Sequence, residues 1–162
     1  MTSQVLSDQA LQRPGLAAWV GFLRSHAALT RALNTDLVNT HGLTINDYEV
    51  LLHLARADGH RLRRVDLAER LLLTASGITR LLDGLERAGY VEKAHCATDA
   101  RVTYAVITDR GFDKLKDASE THLAGIHELF ESRYSEEELA TLATLLGRLP
   151  AAGEEAADCA PP

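Results

Sequence analysis

"LTASGITRLLDGLERAGYV", residues 73–91, carries the decision about the fold. Its second half reads as an amphipathic helix, because Ile78, Leu81, Leu82 and Leu85 recur at the i, i+3, i+4, i+7 spacing of a single apolar face. Thr74 stands where an N-cap belongs. The turn it would cap, Ala75-Ser76-Gly77, is bare of bulky side chains, and Thr79 and Arg80 follow directly. A helix that opens on such small residues allows something large to come close to its backbone.

The flanks say what kind of object this helix belongs to. Upstream, "RRVDLAERLLL" (63–73) reads as a short helix with Leu67, Ala68 and Leu71 inward. Before it, "LTINDYEVLLHLARADG" (43–59) is a helix with Thr44 as N-cap, Asp47 three residues on, and an apolar face of Tyr48, Leu51, Leu52 and Ala55; Gly59 ends it. A long first helix over 16–39 carries Leu16, Val20, Leu23, Ala27 and Leu37 and stops at His41-Gly42. Downstream the period changes. In "YVEKAHCATDARVTYAVIT" (90–108), Val102, Tyr104 and Val106 alternate with Arg101, Thr103 and Ala105, which predicts a strand. The "ATDA" turn lets the preceding residues pair back as a hairpin. A long helix is expected from Thr108 to about Arg133 with Phe112, Leu115, Leu123, Ile126 and Phe130 apolar, and "SEEE" (135–138) caps a last helix through Leu149. Residues 1–13 are expected to be flexible and 150–162 to form a disordered tail, leaving one domain over 14–149.

Two short helices joined by a tight turn and followed by a hairpin make a winged helix-turn-helix. The fold class is therefore mainly α with a small β-hairpin wing and long terminal helices. In that unit the second helix enters the major groove of DNA and its N-terminal residues meet base edges. Ala75, Ser76 and Gly77 permit the approach, and the N–H groups of a helix start attract phosphate. Thr79 and Arg80 then reach bases or sugar–phosphate, arginine being the commonest specific partner of guanine. Thr74, Ser76, Gly77, Thr79 and Arg80 are the candidate contacts, with Arg61, Arg63 and Arg64 ahead of the third helix as phosphate contacts or a solvated charge run.

Charge supports this locally and not globally. The net charge is −6, yet residues 61–110 carry nine basic against seven acidic side chains, while residues 111–162 carry four against eleven. The patch that meets phosphate is what counts. Uncharged runs stop at ten residues (14–23 and 37–46), too short for a membrane span, and no basic head with an apolar block opens the chain. Cys96 and Cys159 make no disulfide framework, so the cytoplasm is the expected compartment.

"LAERLLLTASGITRLLDGLERAGYV" followed by "DARVTYAVITDRG", with "GLTINDYEVLLHL" upstream, is similar to the MarR family of bacterial transcriptional regulators over about residues 16–149. The resemblance implies a winged-helix homodimer whose first and last helices (16–39 and 108–149) dimerise around a DNA-binding lobe (44–107). It implies a wing-tip arginine in a D-x-R arrangement that enters the minor groove; Asp99 and Arg101 match it. Ser76, Thr79 and Arg80 match the recognition helix. It also implies repression of a near-palindromic operator by a homodimer, relieved when a small phenolic or anionic effector binds. Candidate pocket residues are Trp19, Arg24, His26 and Tyr48, although an aromatic at helical spacing is more often core and a lone histidine more often a satisfied side chain. Surplus apolar faces on the terminal helices point independently to dimerisation, the alternative being that they simply pack on the core.

Some members of the family bind zinc and others sense oxidants. His41 and His122 lie in comparable regions, but His122 and His127 are about 140° apart on a helix and cannot chelate together. Cys96 stands beside His95 and Lys93, basic neighbours of the kind an oxidation switch needs, yet an inert exposed thiol is the simpler reading. No metal and no cofactor are expected. An enzyme is disfavoured, since the chain has no G-x-S-x-G, no phosphate-binding glycine loop and no H-E-x-x-H. A winged helix that binds protein instead of DNA is the remaining alternative.

Overall fold

The computed structural model describes residues 13–95 and 103–149; Cys96, Asp99, Arg101, Val102, Cys159 and both terminal segments lie outside the described residues. Helix α1 spans Pro14–His41, starting on a proline at its first turn and ending at Gly42, whose φ of 67° is left-handed. Gly42 N–H closes on Val38 O, a stop that a residue without Cβ makes at little cost. Helix α2, Ile45–Arg56, begins on a complete capping box: Thr44 Oγ1 accepts Asp47 N–H (3.2 Å) and the Asp47 carboxylate accepts Thr44 N–H (2.8 Å). Asn34 of α1 accepts Ile45 N–H at 2.9 Å and so fixes where α2 starts.

A three-residue strand, β1 (Arg61–Arg63), runs directly into α3 (Arg64–Arg70), and α4 (Ala75–Arg87) follows after a tight turn. Strands β2 (Val91–His95) and β3 (Thr103–Ile107) then pair antiparallel, and β1 adds to the far side of β3, giving the order β1-β3-β2. The wing is thus a three-stranded sheet with Leu62 and Lys93 both opposite Ala105. Its buried face is Ala105 and Ile107, whereas Tyr104 and Val106 stay half-buried on the other side, where Arg61 lies 5.1 Å over the Tyr104 ring. Of the alternating residues read from the sequence, Tyr104 and Val106 mark the outer face.

Helix α5, Asp109–Leu129, is shorter than the expected run to Arg133. It breaks at Phe130 (φ −127°, ψ −65°) into a 3₁₀ turn, after which α6 (Glu136–Leu146) starts on a second capping box formed by Ser135 and Glu138. The core lies in the lobe and on the α1 and α5 residues packed against it: Leu37, Val50, Leu51, Leu54, Leu67, Ile78 and Leu82 are almost wholly buried. Each such side chain contributes roughly 1.5–3 kcal/mol of burial. The α2 face is wider than its spacing predicts, because α2 packs on α5, on α4 and on the sheet. Val50 and Leu54 are therefore buried while Leu52 and Ala55 are only partly so. The terminal helices are the opposite case. Trp19 is 54% exposed, Leu123 62%, and no residue of α6 is buried.

Candidate nucleic-acid interface

The first turn of α4 stands at the surface. Thr74 Oγ1 accepts Gly77 N–H at 3.1 Å, which satisfies one donor of the helix start. Thr74, Ala75, Ser76 and Arg80 are exposed, and Arg80 has no partner among the described residues. A Cβ on Gly77 would stand 3.2 Å from Thr74 Oγ1, so the cap itself favours glycine here, independently of any ligand. The turn's bareness has a local reason as well as a functional one.

Thr79 differs from its neighbours. Its hydroxyl donates to Ala75 O (2.7 Å) and accepts from Arg64 Nη1 (3.2 Å), so its proton is committed to its own helix. The basic residues ahead of α4 are also engaged. Arg63 grips Asp66 through two bonds of 2.9 and 2.7 Å, which raises its pKa further, and Arg61 lies on Tyr104. The guanidinium of Arg110, in the first turn of α5, sits 5.4 Å over Tyr90 at the mouth of β2, a brace between helix and wing. Sequence reasoning set Lys93 beside Cys96 and missed its ion pairs with α4. Its ammonium bonds Glu86 (2.8 Å) and Asp83 (3.2 Å), tying β2 to the back of α4, and these carboxylates raise its pKa. Acidic residues three apart on a helix opposite a strand lysine are the signal, visible only once the two elements are placed side by side.

The four effector candidates do not form one cluster. Trp19 and His26 line an open apolar groove of about 590 Å³ between α1 and the segment from Phe130 to Leu149, whereas Arg24 and Tyr48 are not among its lining residues. Tyr48 is buried where α1, α2 and α5 meet. Its Oη is 3.2 Å from Ser119 Oγ and its ring lies 4.6 Å from that of His122. His41 instead bonds Thr121 Oγ1 at 2.7 Å. Among the described residues no group of three or more His, Cys, Asp or Glu side chains could hold a metal ion.

His122 Nδ1 is buried without a partner among the described residues, and burial lowers its pKa. His53 is lowered by burial and by the charges of Arg70 and Arg56. A histidine depressed in the fold leaves the unfolded chain to take up protons first. Stability is then fully present above the ordinary value of about 6.5 and is lost as pH falls toward the folded value. Glu49, raised by burial, acts in the opposite sense at more acid pH. The melting temperature is expected to fall as pH drops below about 6.5, and His122→Gln to flatten that fall; an unchanged slope in the variant contradicts the assignment.

Comparison with known proteins agrees with this geometry. A family model described as "MarR family" matches residues 41–102, the stretch from the end of α1 to the residue before β3. The repressor YetL of Bacillus subtilis is 35% identical over 108 residues, covering 67% of this chain; the chain spans 64% of YetL's length. AbsC, a MarR family transcriptional regulator from Streptomyces coelicolor, superposes with a TM-score of 0.76 at 29% identity, over 90% of this chain and 95% of its own. A mutant MarR from E. coli complexed with operator DNA gives 0.72 at 25% identity, over 89% and 100%. These relatives bear the names of regulators and not of enzymes. Matched by the family model over residues 41–102, by YetL at 35% identity and by the AbsC structure at a TM-score of 0.76, the chain belongs to the MarR family of transcriptional regulators.

Proposed function

We propose that the protein binds double-stranded DNA sequence-specifically as a homodimer, acts as a repressor at a near-palindromic operator, and releases it when a small phenolic or anionic effector binds. The observation that carries the DNA reading is the exposed opening turn of α4, with Arg80 exposed beside it and without a partner among the described residues. A helix presented this way fits the major groove, and its base-edge contacts come from that end. The E. coli relative seen with operator DNA and the repressor name of YetL support the reading. Arg101, one residue beyond the "ATDA" turn, is proposed to enter the minor groove with Asp99 orienting it. The test is duplex binding across a salt series. Affinity should fall steeply with salt, and Arg101→Ala should weaken it. Absence of binding to any duplex at low salt overturns the reading in favour of a protein-binding winged helix.

The homodimer rests on the apolar surface of the terminal helices. Trp19, Phe22, Leu146 and Leu149 are all more than a third exposed, and they line one groove. A second copy covering this face removes a patch that a soluble monomer rarely carries. Leu146→Glu is expected to shift the protein toward monomer in sedimentation and to cost DNA affinity, because each half-site would then be bound alone. A variant that remains dimeric places the interface elsewhere.

A further inference from the structure

Arg64 opens α3, one helix ahead of the one that faces the duplex, and it is half-buried. Its Nη1 donates to Thr79 Oγ1 at 3.2 Å, while its Nε is buried with no partner among the described residues. A guanidinium carries five donors in a fixed fork, and leaving one of them dry and unpaired is unfavourable. A side chain recruited only to meet phosphate would keep that donor open to solvent. Leu67 of α3 and Ile78 and Leu82 of α4 share the apolar core, and apolar contacts set distance better than rotation. The Arg64–Thr79 bond is directional, and it lands one residue before Arg80. Thr79 is itself locked, its proton on Ala75 O at 2.7 Å.

We propose that Arg64 is a positioning residue for sequence readout: by holding Thr79 it fixes the rotation of α4, and so the approach of Arg80 to base edges, without contacting phosphate itself. This rests on the DNA-binding reading above. It assigns specificity to a residue outside the recognition helix and takes Thr79 out of direct hydrogen-bond donation to a base.

The experiment compares two probes: a duplex pool enriched by the wild-type protein from random sequence, and the unselected pool. Wild type, Arg64→Ala, Thr79→Val, the double variant and Thr79→Ser are measured on both across salt. Arg64→Ala should reduce the ratio of enriched to unselected affinity by about tenfold, and the double variant should be no worse than either single, as for two residues acting through one bond. Thr79→Ser, which keeps the hydroxyl, should stay near wild type. The salt slope on the unselected pool should be unchanged. Loss of about one from the magnitude of that slope, with losses that multiply in the double variant, makes Arg64 a phosphate contact and overturns the proposal. An unchanged affinity ratio overturns it too. If Arg64→Ala does not fold, Thr79→Val carries the same ratio test. Should wild type bind neither pool, the DNA reading itself fails and this inference with it.

Discussion

Gly111→Ala is expected to destabilise the protein by about 3 kcal/mol, lowering its melting temperature by roughly 10 °C, although it adds a single methyl. Gly111 lies in the first turn of α5, buried against the start of β2. A Cβ there would collide with the Tyr90 carbonyl oxygen and stand 2.7 Å from Ile107 Cγ1. The backbone oxygen cannot turn aside, because it accepts Thr108 N–H at 3.1 Å. Thr108 is also the N-cap: its hydroxyl donates to Gly89 O (2.8 Å) and accepts Gly111 N–H (3.0 Å). One methyl therefore strains the cap, the strand entry and the joint between the lobe and α5 together. Gly84→Ala is the control. That position is in the interior of α4 with nothing within 4 Å of a built Cβ, so alanine should stabilise by about 0.5–1 kcal/mol. Thermal unfolding of both variants decides it, and a Gly111→Ala protein as stable as wild type would show that the joint between β2 and α5 is looser than described.

Arg80→Ala is expected to leave folding untouched and to cost about 10- to 100-fold in affinity for a preferred duplex, the 1–3 kcal/mol of a good arginine–base contact. The side chain is exposed and bonds to nothing among the described residues, so its removal leaves no internal gap. Binding to arbitrary sequence should fall much less. Arg63→Ala makes the useful contrast, since Arg63 already shares its charge with Asp66 and should matter less for sequence preference. Fluorescence anisotropy on specific and arbitrary duplexes measures both. Equal losses for the two variants on the two duplexes would demote Arg80 to a general phosphate contact.

The elements legible in the sequence are those specified locally. Both capping boxes, Thr44 with Asp47 and Ser135 with Glu138, involve residues three apart and form as read. Thr74 and the Ile78, Leu82, Leu85 face of α4 likewise need only their own helix. What escaped reading depends on distant partners. Strand β1 is three residues long and exists because Leu62 pairs with Ala105, more than forty positions away. The inward face of β3 is set by what lies beneath the sheet, which selected Ala105 and Ile107 over Tyr104 and Val106. Helix-forming residues continue past Leu129, so the break at Phe130 has no strong local signal; there the Phe130 and Tyr134 rings come to 5.5 Å across the turn. The candidate contacts divide in the same way. Ser76 and Arg80 are exposed where the helix pattern puts them, while Arg63, Arg64 and Thr79, which sequence alone treats as free for DNA, have internal partners.

Sequencing the duplexes that wild type and Arg80→Ala each retain from a random pool would bear on the docking of α4 without assuming an operator. Wild type should enrich a near-palindrome whose half-sites lie about one helical turn apart, roughly 34–36 Å, and Arg80→Ala should lose base preference at one symmetric pair of positions. Enrichment of the same sequence with and without Arg80, or of none by wild type, would contradict a recognition helix that reads the groove through its opening turn.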